Sequence, residues 1–189
     1  MQVHETGFPG LYVLVPHVFQ DERGFFLESY NRERFKELGI NSEFVQDNHA
    51  YSRESGVLRG FHFQLPPAAQ AKLVWVTRGA VLDVVVDLRK GSPTFGKWRH
   101  VILSAANFKR MFIPRGFGHA YVTIMPDTEF QYKVDAPYSP ENDCGIVWND
   151  PDIAMDWSPA LAGREPILSE KDHRLTKLAD FDSPFIYEE

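Results

Sequence analysis

Val81-Leu82-Asp83-Val84-Val85-Val86-Asp87 is dense in β-branched residues and is flanked by Gly79 on one side and Gly91-Ser92-Pro93 on the other, so it reads as a strand between turns. Working outward, similar runs predict strands at Leu11 to Phe19, Gly24 to Tyr30, Val57 to Gln64, Lys72 to Arg78, Ala80 to Leu88 and Trp98 to Leu103. Further strands are predicted at Arg110 to Ile113, His119 to Ile124 and Glu129 to Val134, with Pro114 and Gly116 marking a turn. Strands so closely spaced, without regular alternation with long helices, indicate an antiparallel sandwich or barrel rather than a parallel α/β sheet. The expected fold class is all-β, a jelly-roll barrel with a few short peripheral helices. One helix is predicted at Arg32 to Leu38, capped by Asn31 and ended by Gly39, and a shorter turn follows Ser169-Glu170-Lys171-Asp172. The segment from about 151 to 189 reads as an irregular wrapping tail.

At 189 residues the chain suits one domain, 1–189, and is long enough to bury a core without disulfides. A net charge of -6 argues against a nucleic-acid or polybasic membrane surface, although a few Arg and Lys can still converge on a small anion. The single cysteine, Cys144, excludes an intrachain disulfide framework and a multi-cysteine zinc site and suits a reducing compartment. With neither a leader-like N-terminus nor a long apolar span, the expected location is the cytoplasm.

The densest chemical feature is Gly56-Val57-Leu58-Arg59-Gly60-Phe61-His62-Phe63-Gln64. Strict alternation puts Leu58, Gly60, His62 and Gln64 on one face and Arg59, Phe61 and Phe63 on the other. A histidine among apolar neighbours is more often a satisfied core residue than a reactive one, so His62 needs company. Lys72 supplies some, because Lys72, Val74 and Val76 share a face and carry a cation toward an apolar interior. Pro114, Gly116 and His119 supply more: their Pro-x-Gly-x-x-His spacing resembles the second half of the cupin motif. Metal-binding cupins carry His-x-His in the first half, and here Gln64 takes the second place. Replacing an imidazole ligand by an amide weakens a transition-metal site, so no metal is expected and His62 is left free to accept a proton.

With these residues in view, Asp21 through Ser29, Phe44 through His49, Val57 through Gln64, Ser92 through Gly96 and Ile113 through His119 resemble, in order, the signature blocks of dTDP-4-dehydrorhamnose 3,5-epimerases. The resemblance runs from about Phe8 to Asp172. It implies a cofactor-free enolisation on a dTDP-4-keto-6-deoxyhexose. His62 would be the base, Asp172 its supporting carboxylate, Lys72 the cation facing the enolate oxygen, and Tyr132 the proton donor, with Tyr138 a second candidate donor. It also implies nucleotide and phosphate contacts from Arg23, Arg59 and Lys171, with Glu28, Gln46, Asn48, His119 and Asp143 as further contacts. Family members form homodimers in which N-terminal strands, here within about 1–50, cross to the partner, so Arg23 and Glu28 would serve the neighbouring pocket. Two departures bear on substrate range: Ala71 stands where Gly is usual, and His119-Ala120-Tyr121 replaces His-Gly-Phe. Inversion of a single carbon, a metal-dependent cupin and a non-catalytic sugar-binding cupin are the competing readings.

Overall fold

The computed structural model describes residues 1–188. Its strands are β1 (Gln2–Glu5), β2 (Tyr12–Val15), β3 (Val18–Asp21), β4 (Gly24–Leu27), β5 (Gln46–Ser52), β6 (Leu58–Gln64), β7 (Lys72–Arg78), β8 (Ala80–Asp87), β9 (Trp98–Ser104), β10 (Arg110–Ile113), β11 (Phe117–Thr123), β12 (Thr128–Val134) and β13 (Asp143–Gly145). Helix α1 (Arg32–Glu37) follows β4, and a single-turn α2 (Ser158–Leu161) lies in the C-terminal segment. A six-stranded sheet in the order β1-β2-β10-β7-β12-β5 faces a five-stranded sheet in the order β13-β6-β11-β8-β9, with β3-β4 a separate hairpin. Every strand pairing in them is antiparallel, and the jelly-roll expectation holds.

Alternation along the strands builds three apolar layers. Val74, Val76, Met111 and Phe130 of one sheet meet Val81, Val85, Leu103 and Tyr121 of the other between the sheets. Outside the five-stranded sheet, Leu58, Phe61, Val84 and Val122 are covered by Ile146, Ile153, Trp157 and Phe185 of the C-terminal segment. Outside the six-stranded sheet, Leu14, Leu73 and Trp75 are covered by Phe35 of α1 and the following Ile40. Asn31 caps α1 by accepting from the Arg34 N–H at 3.2 Å, and Gly39 leaves the helix at φ +80°, a value that suits glycine.

The sequence reading missed the strands β1, β5 and β13 and joined β2 to β3; two of these differences have local causes. The run from Leu11 to Phe19 is two strands rather than one, broken at Pro16-His17, where proline supplies no N–H to a ladder. Strand β5 was not expected, because Gln46-Asp47-Asn48-His49 has no apolar face; its even-numbered residues are half-buried and its odd ones, up to Tyr51, exposed. The block Ser92 to Gly96 is also structural. Asp87 accepts from Ser92 Oγ at 2.6 Å, Thr94 Oγ1 at 2.7 Å and Arg89 Nη2 at 2.7 Å, which closes the β8–β9 connection. Burial pushes the Asp87 carboxyl up, and these donors more than reverse it.

Candidate active site

Between the sheets a cavity of about 270 Å³ opens at one end of the barrel. Strand β6 gives it Arg59 and His62, β7 gives Lys72, β11 gives His119 and Tyr121, and β12 gives Phe130 and Tyr132. Ser169, Lys171 and Asp172 reach it from the C-terminal segment.

Arg59 and His62 line the same cavity, contrary to the strict alternation expected of β6. The register explains why: Arg59 pairs with Tyr121 and His62 with His119, so Gly60 and Phe61 together oppose the single residue Ala120. This bulge shifts parity by one residue, turning Arg59, His62 and Gln64 inward and leaving Leu58, Phe61 and Phe63 outside. Gly60 permits it at φ +115°, since a Cβ there would collide with the His119 carbonyl and the Ala120 backbone. Gln64 does not reach the cavity chemistry. Its amide donates to the Ala68 and Pro137 carbonyls at 2.7 and 3.2 Å and accepts from the Ser139 N–H at 2.9 Å, which ties the end of β6 to two loops.

His62 Nε2 lies 2.8 Å from Asp172 Oδ1. Asp172 is buried and also accepts from the Gly60 N–H at 3.1 Å and Ser169 Oγ at 2.5 Å. Burial opposes its ionisation, but donation from His62, Ser169 and Gly60 prevails and holds the carboxyl well below the usual range. An ionised Asp172 fixes the imidazole proton on Nε2, so Nδ1 carries the free lone pair. Nδ1 is buried and has no hydrogen-bond partner among the described residues. A base poised to take a proton has this arrangement.

Lys72 is buried, with Nζ 3.5 Å from the His62 carbonyl. Burial lowers its pKa to about 8 against the attraction of Asp143 and Asp83, so the ammonium survives at neutral pH in a water-poor setting. Tyr132 stands on the opposite wall from His62, in β12 rather than β6. Burial raises its pKa, outweighing the nearby Arg59 cation, which keeps the phenol protonated and able to donate. Beside His62 in the sheet, His119 Nε2 lies 3.0 Å from both oxygens of Asp83, and both residues are buried. Asp83 was not singled out in the sequence, although Val81, Asp83, Val85 and Asp87 alternate along β8 and put a carboxylate on the inward face.

An imidazole with an unpartnered nitrogen, a buried ammonium and a protonated phenol surround one space, a set suited to carbon-acid chemistry beside a carbonyl. A sequence model described as dTDP-4-dehydrorhamnose 3,5-epimerase matches residues 5–180. The chain belongs to that family. The family enzyme of Escherichia coli (strain K12) is 50% identical over 179 residues, covering 94% of this chain and 95% of that one. Among solved structures, the Bacillus anthracis dTDP-4-dehydrorhamnose 3,5-epimerase with TDP and PPi bound is 48% identical with a TM-score of 0.89, covering 93% of this chain and 98% of that chain. The Legionella pneumophila dTDP-6-deoxy-D-glucose-3,5-epimerase in complex with dTDP-4-keto-L-rhamnose is 41% identical with a TM-score of 0.93, covering 100% of this chain and 99% of that chain. As a member of this epimerase family the chain is an isomerase.

The remaining residues that the epimerase resemblance named fall into two groups. Around the cavity mouth, Gln46 donates to Asn48 Oδ1 at 2.9 Å and accepts from the Tyr138 N–H at 3.1 Å. Asp143 accepts from the Tyr138 hydroxyl at 2.9 Å and pairs with Lys171. Tyr138 is exposed and does not line the cavity, whereas Tyr132 does. Arg23 and Glu28 stand apart. Arg23 pairs with Asp21 at the tip of the exposed β3-β4 hairpin, and Glu28 accepts from Asn31 Nδ2 at 3.1 Å. Within one chain neither residue joins the cavity. Ser169, which buttresses Asp172, is a neighbour whose part only the fold reveals, and Tyr121, flagged in the sequence beside His119, stacks on Phe130 at 4.1 Å.

Proposed function

We propose that the chain inverts C3 and C5 of dTDP-4-dehydro-6-deoxy-D-glucose to give dTDP-4-dehydro-L-rhamnose, a step in dTDP-L-rhamnose synthesis. The observation that carries this reading is the free, buried Nδ1 of His62, with Asp172 on its other nitrogen and Lys72 close behind. The C4 ketone acidifies the hydrogens on both neighbouring carbons. His62 Nδ1 takes one of them, the C–H pair moves into an enolate, and the negative charge settles on O4. Lys72 meets that charge at fixed geometry. Tyr132, on the opposite wall, returns a proton to the carbon from the other face and inverts it; the His62 imidazolium then releases its proton to solvent and the Tyr132 phenolate takes one up. The sequence repeats at the second carbon. The reaction is redox-neutral and needs no cofactor.

Arg59 and Lys171 at the cavity wall suit the diphosphate, with Gln46, Asn48, His119 and Asp143 positioning the rest of the nucleotide sugar. Arg23 and Glu28 reach the pocket of a second copy in a homodimer. The exposed Phe19, Phe25 and Phe26 of that hairpin, at 59%, 60% and 70% exposure, form an apolar surface suited to such a partner. We place the protein in the cytoplasm, where nucleotide sugars are made, as one domain over 1–189. Among the described residues no helix is long and apolar enough to cross a membrane. The test is turnover of dTDP-4-dehydro-6-deoxy-D-glucose in heavy water, followed by product NMR. Deuterium at C3 and C5 with both centres inverted is expected. Deuterium at one carbon alone would reassign the protein to single-centre inversion, and no incorporation would sink the reading.

A further inference from the structure

Tyr121 lines the cavity, yet the proposed reaction leaves it without a task. It sits on β11 and packs between the sheets, 6% exposed, with its ring stacked on Phe130 at 4.1 Å and an interplanar angle of 15°. A ring clamped in this way has one free end, the hydroxyl. Burial raises the pKa of that phenol, the Arg59 cation lowers it, and Tyr132, Asp83 and Asp172 raise it again. These charges act through space, and no hydrogen bond to a described residue takes part. The phenol is therefore protonated at neutral pH. A buried donor without an acceptor is costly, and a bound ligand can supply one.

The pairing of β11 with β6 fixes where that donor lies. His119 stands opposite His62, and Tyr121 stands opposite Arg59, the next inward pair along the wall beyond the bulge. In the proposed reaction His62 works at C3 and Arg59 serves the diphosphate, which hangs on C1. The sugar carbon between C1 and C3 is C2. We infer that Tyr121 is a specificity-determining residue whose phenol donates a hydrogen bond to the C2 hydroxyl of the pyranose, selecting 4-ketohexoses that keep this hydroxyl over their 2-deoxy counterparts. The inference rests on the proposed epimerisation of a dTDP-4-keto-6-deoxyhexose. Within that reaction, the C2 hydroxyl is the ring hydroxyl whose configuration survives both inversions. A fixed donor can hold it from substrate through enolate to product, whereas it would lose the C3 hydroxyl when C3 inverts. A site built to bond a hydroxyl strongly rejects an analogue that lacks it, because the protein's own buried donor is then left unpaired.

The experiment compares the full wild-type chain with Tyr121→Phe, which keeps the ring and its stacking and removes only the hydroxyl. Each protein is assayed with dTDP-4-dehydro-6-deoxy-D-glucose and with its 2-deoxy analogue, and the products are followed by NMR. The wild-type protein is expected to prefer the hydroxylated compound by about tenfold or more in kcat/KM, and Tyr121→Phe to narrow that preference to about twofold. The loss should fall on KM for the hydroxylated compound with kcat little changed, since the bond is the same in the ground and transition states. A preference of equal size in the two proteins overturns the inference and leaves the epimerase reading standing. An equal loss of kcat on both compounds also overturns it, because Tyr121 then handles a proton rather than reading a hydroxyl. Equal kcat/KM of the wild-type protein for the two compounds overturns it without any variant. Turnover of neither compound defeats the epimerase reading, and the inference falls with it.

Discussion

The barrel holds two histidine–aspartate pairs side by side, His62–Asp172 and His119–Asp83, with the two imidazoles directly opposite each other across β6 and β11. Asp172 comes from the far C-terminal segment and receives three kinds of donor: an imidazole, a hydroxyl and backbone N–H groups. Asp83 sits on the adjoining strand β8 and has His119 as its donor, centred between its two oxygens. Burial acts on both acids in the same sense. Donors overturn it at Asp172, whose pKa falls, and do not at Asp83, whose pKa rises. The imidazoles differ accordingly. His62 is 26% exposed and keeps a free Nδ1, whereas His119 is buried and burial lowers its pKa against the pull of Asp83. Under the proposed mechanism these similar pairs do different work: the number of donors around the acid and the access of the ring set which histidine exchanges protons and which braces the wall.

The sharpest break between the pairs is kinetic. His62→Ala is expected to lower kcat by about 10³-fold with dTDP affinity nearly unchanged, because it removes a group used on the way to the enolate. His119→Ala should cost about tenfold in kcat/KM, mostly through KM, together with about 1–3 kcal/mol of stability as Asp83 loses its donor. Equal losses of kcat in the two variants would erase the distinction. Next in size, Lys72→Met should lower kcat by about 10²-fold. In the wild-type enzyme the rate should fall as pH rises through about 8, where Lys72 loses its proton, and the variant's pH–rate profile should lack that limb.

The bulge that brings Arg59 and His62 together offers a third test. Gly60→Ala places a methyl group against the His119 carbonyl and demands a positive φ of alanine, and should cost at least about 2 kcal/mol in urea denaturation. The smallest effect concerns pH and stability, and the two acids should carry opposite signs. Asp172, with its pKa below the ordinary 3.8, contributes stability that is present above that value and is lost as pH falls through its folded pKa. Asp83, with its pKa raised above 3.8, contributes stability that is present below that value and is lost as pH rises through its folded pKa. Unfolding midpoints between pH 3 and 7 should therefore depend less steeply on pH in Asp172→Asn and more steeply in Asp83→Asn.

Much of this was legible in the linear chain, because β-branched runs between Gly and Pro define strands wherever one face is apolar. Lys72 could be read as an inward cation from alternation alone, and the inward acid at Asp83 was equally open to that reading. Strand β5 was hidden because its half-buried face, Gln46, Asn48 and Ala50, carries no apolar pattern, and Ala50 on it lines the cavity. Asp172 could be connected with His62 only through family resemblance, since nothing local in Ser169-Glu170-Lys171-Asp172 indicates where that turn docks.

The amino-acid order by itself determined the central strands, the capped helix and the supply of chemical groups, because period, turn residues and caps act over a few neighbouring positions. Tertiary structure alone decided that Arg59 and His62 share a wall, through one extra residue opposite Ala120, and that Asp172 reaches His62 rather than water. These outcomes depend on packing between segments remote in the chain, where the position of one backbone N–H or one missing Cβ sets which side chains meet.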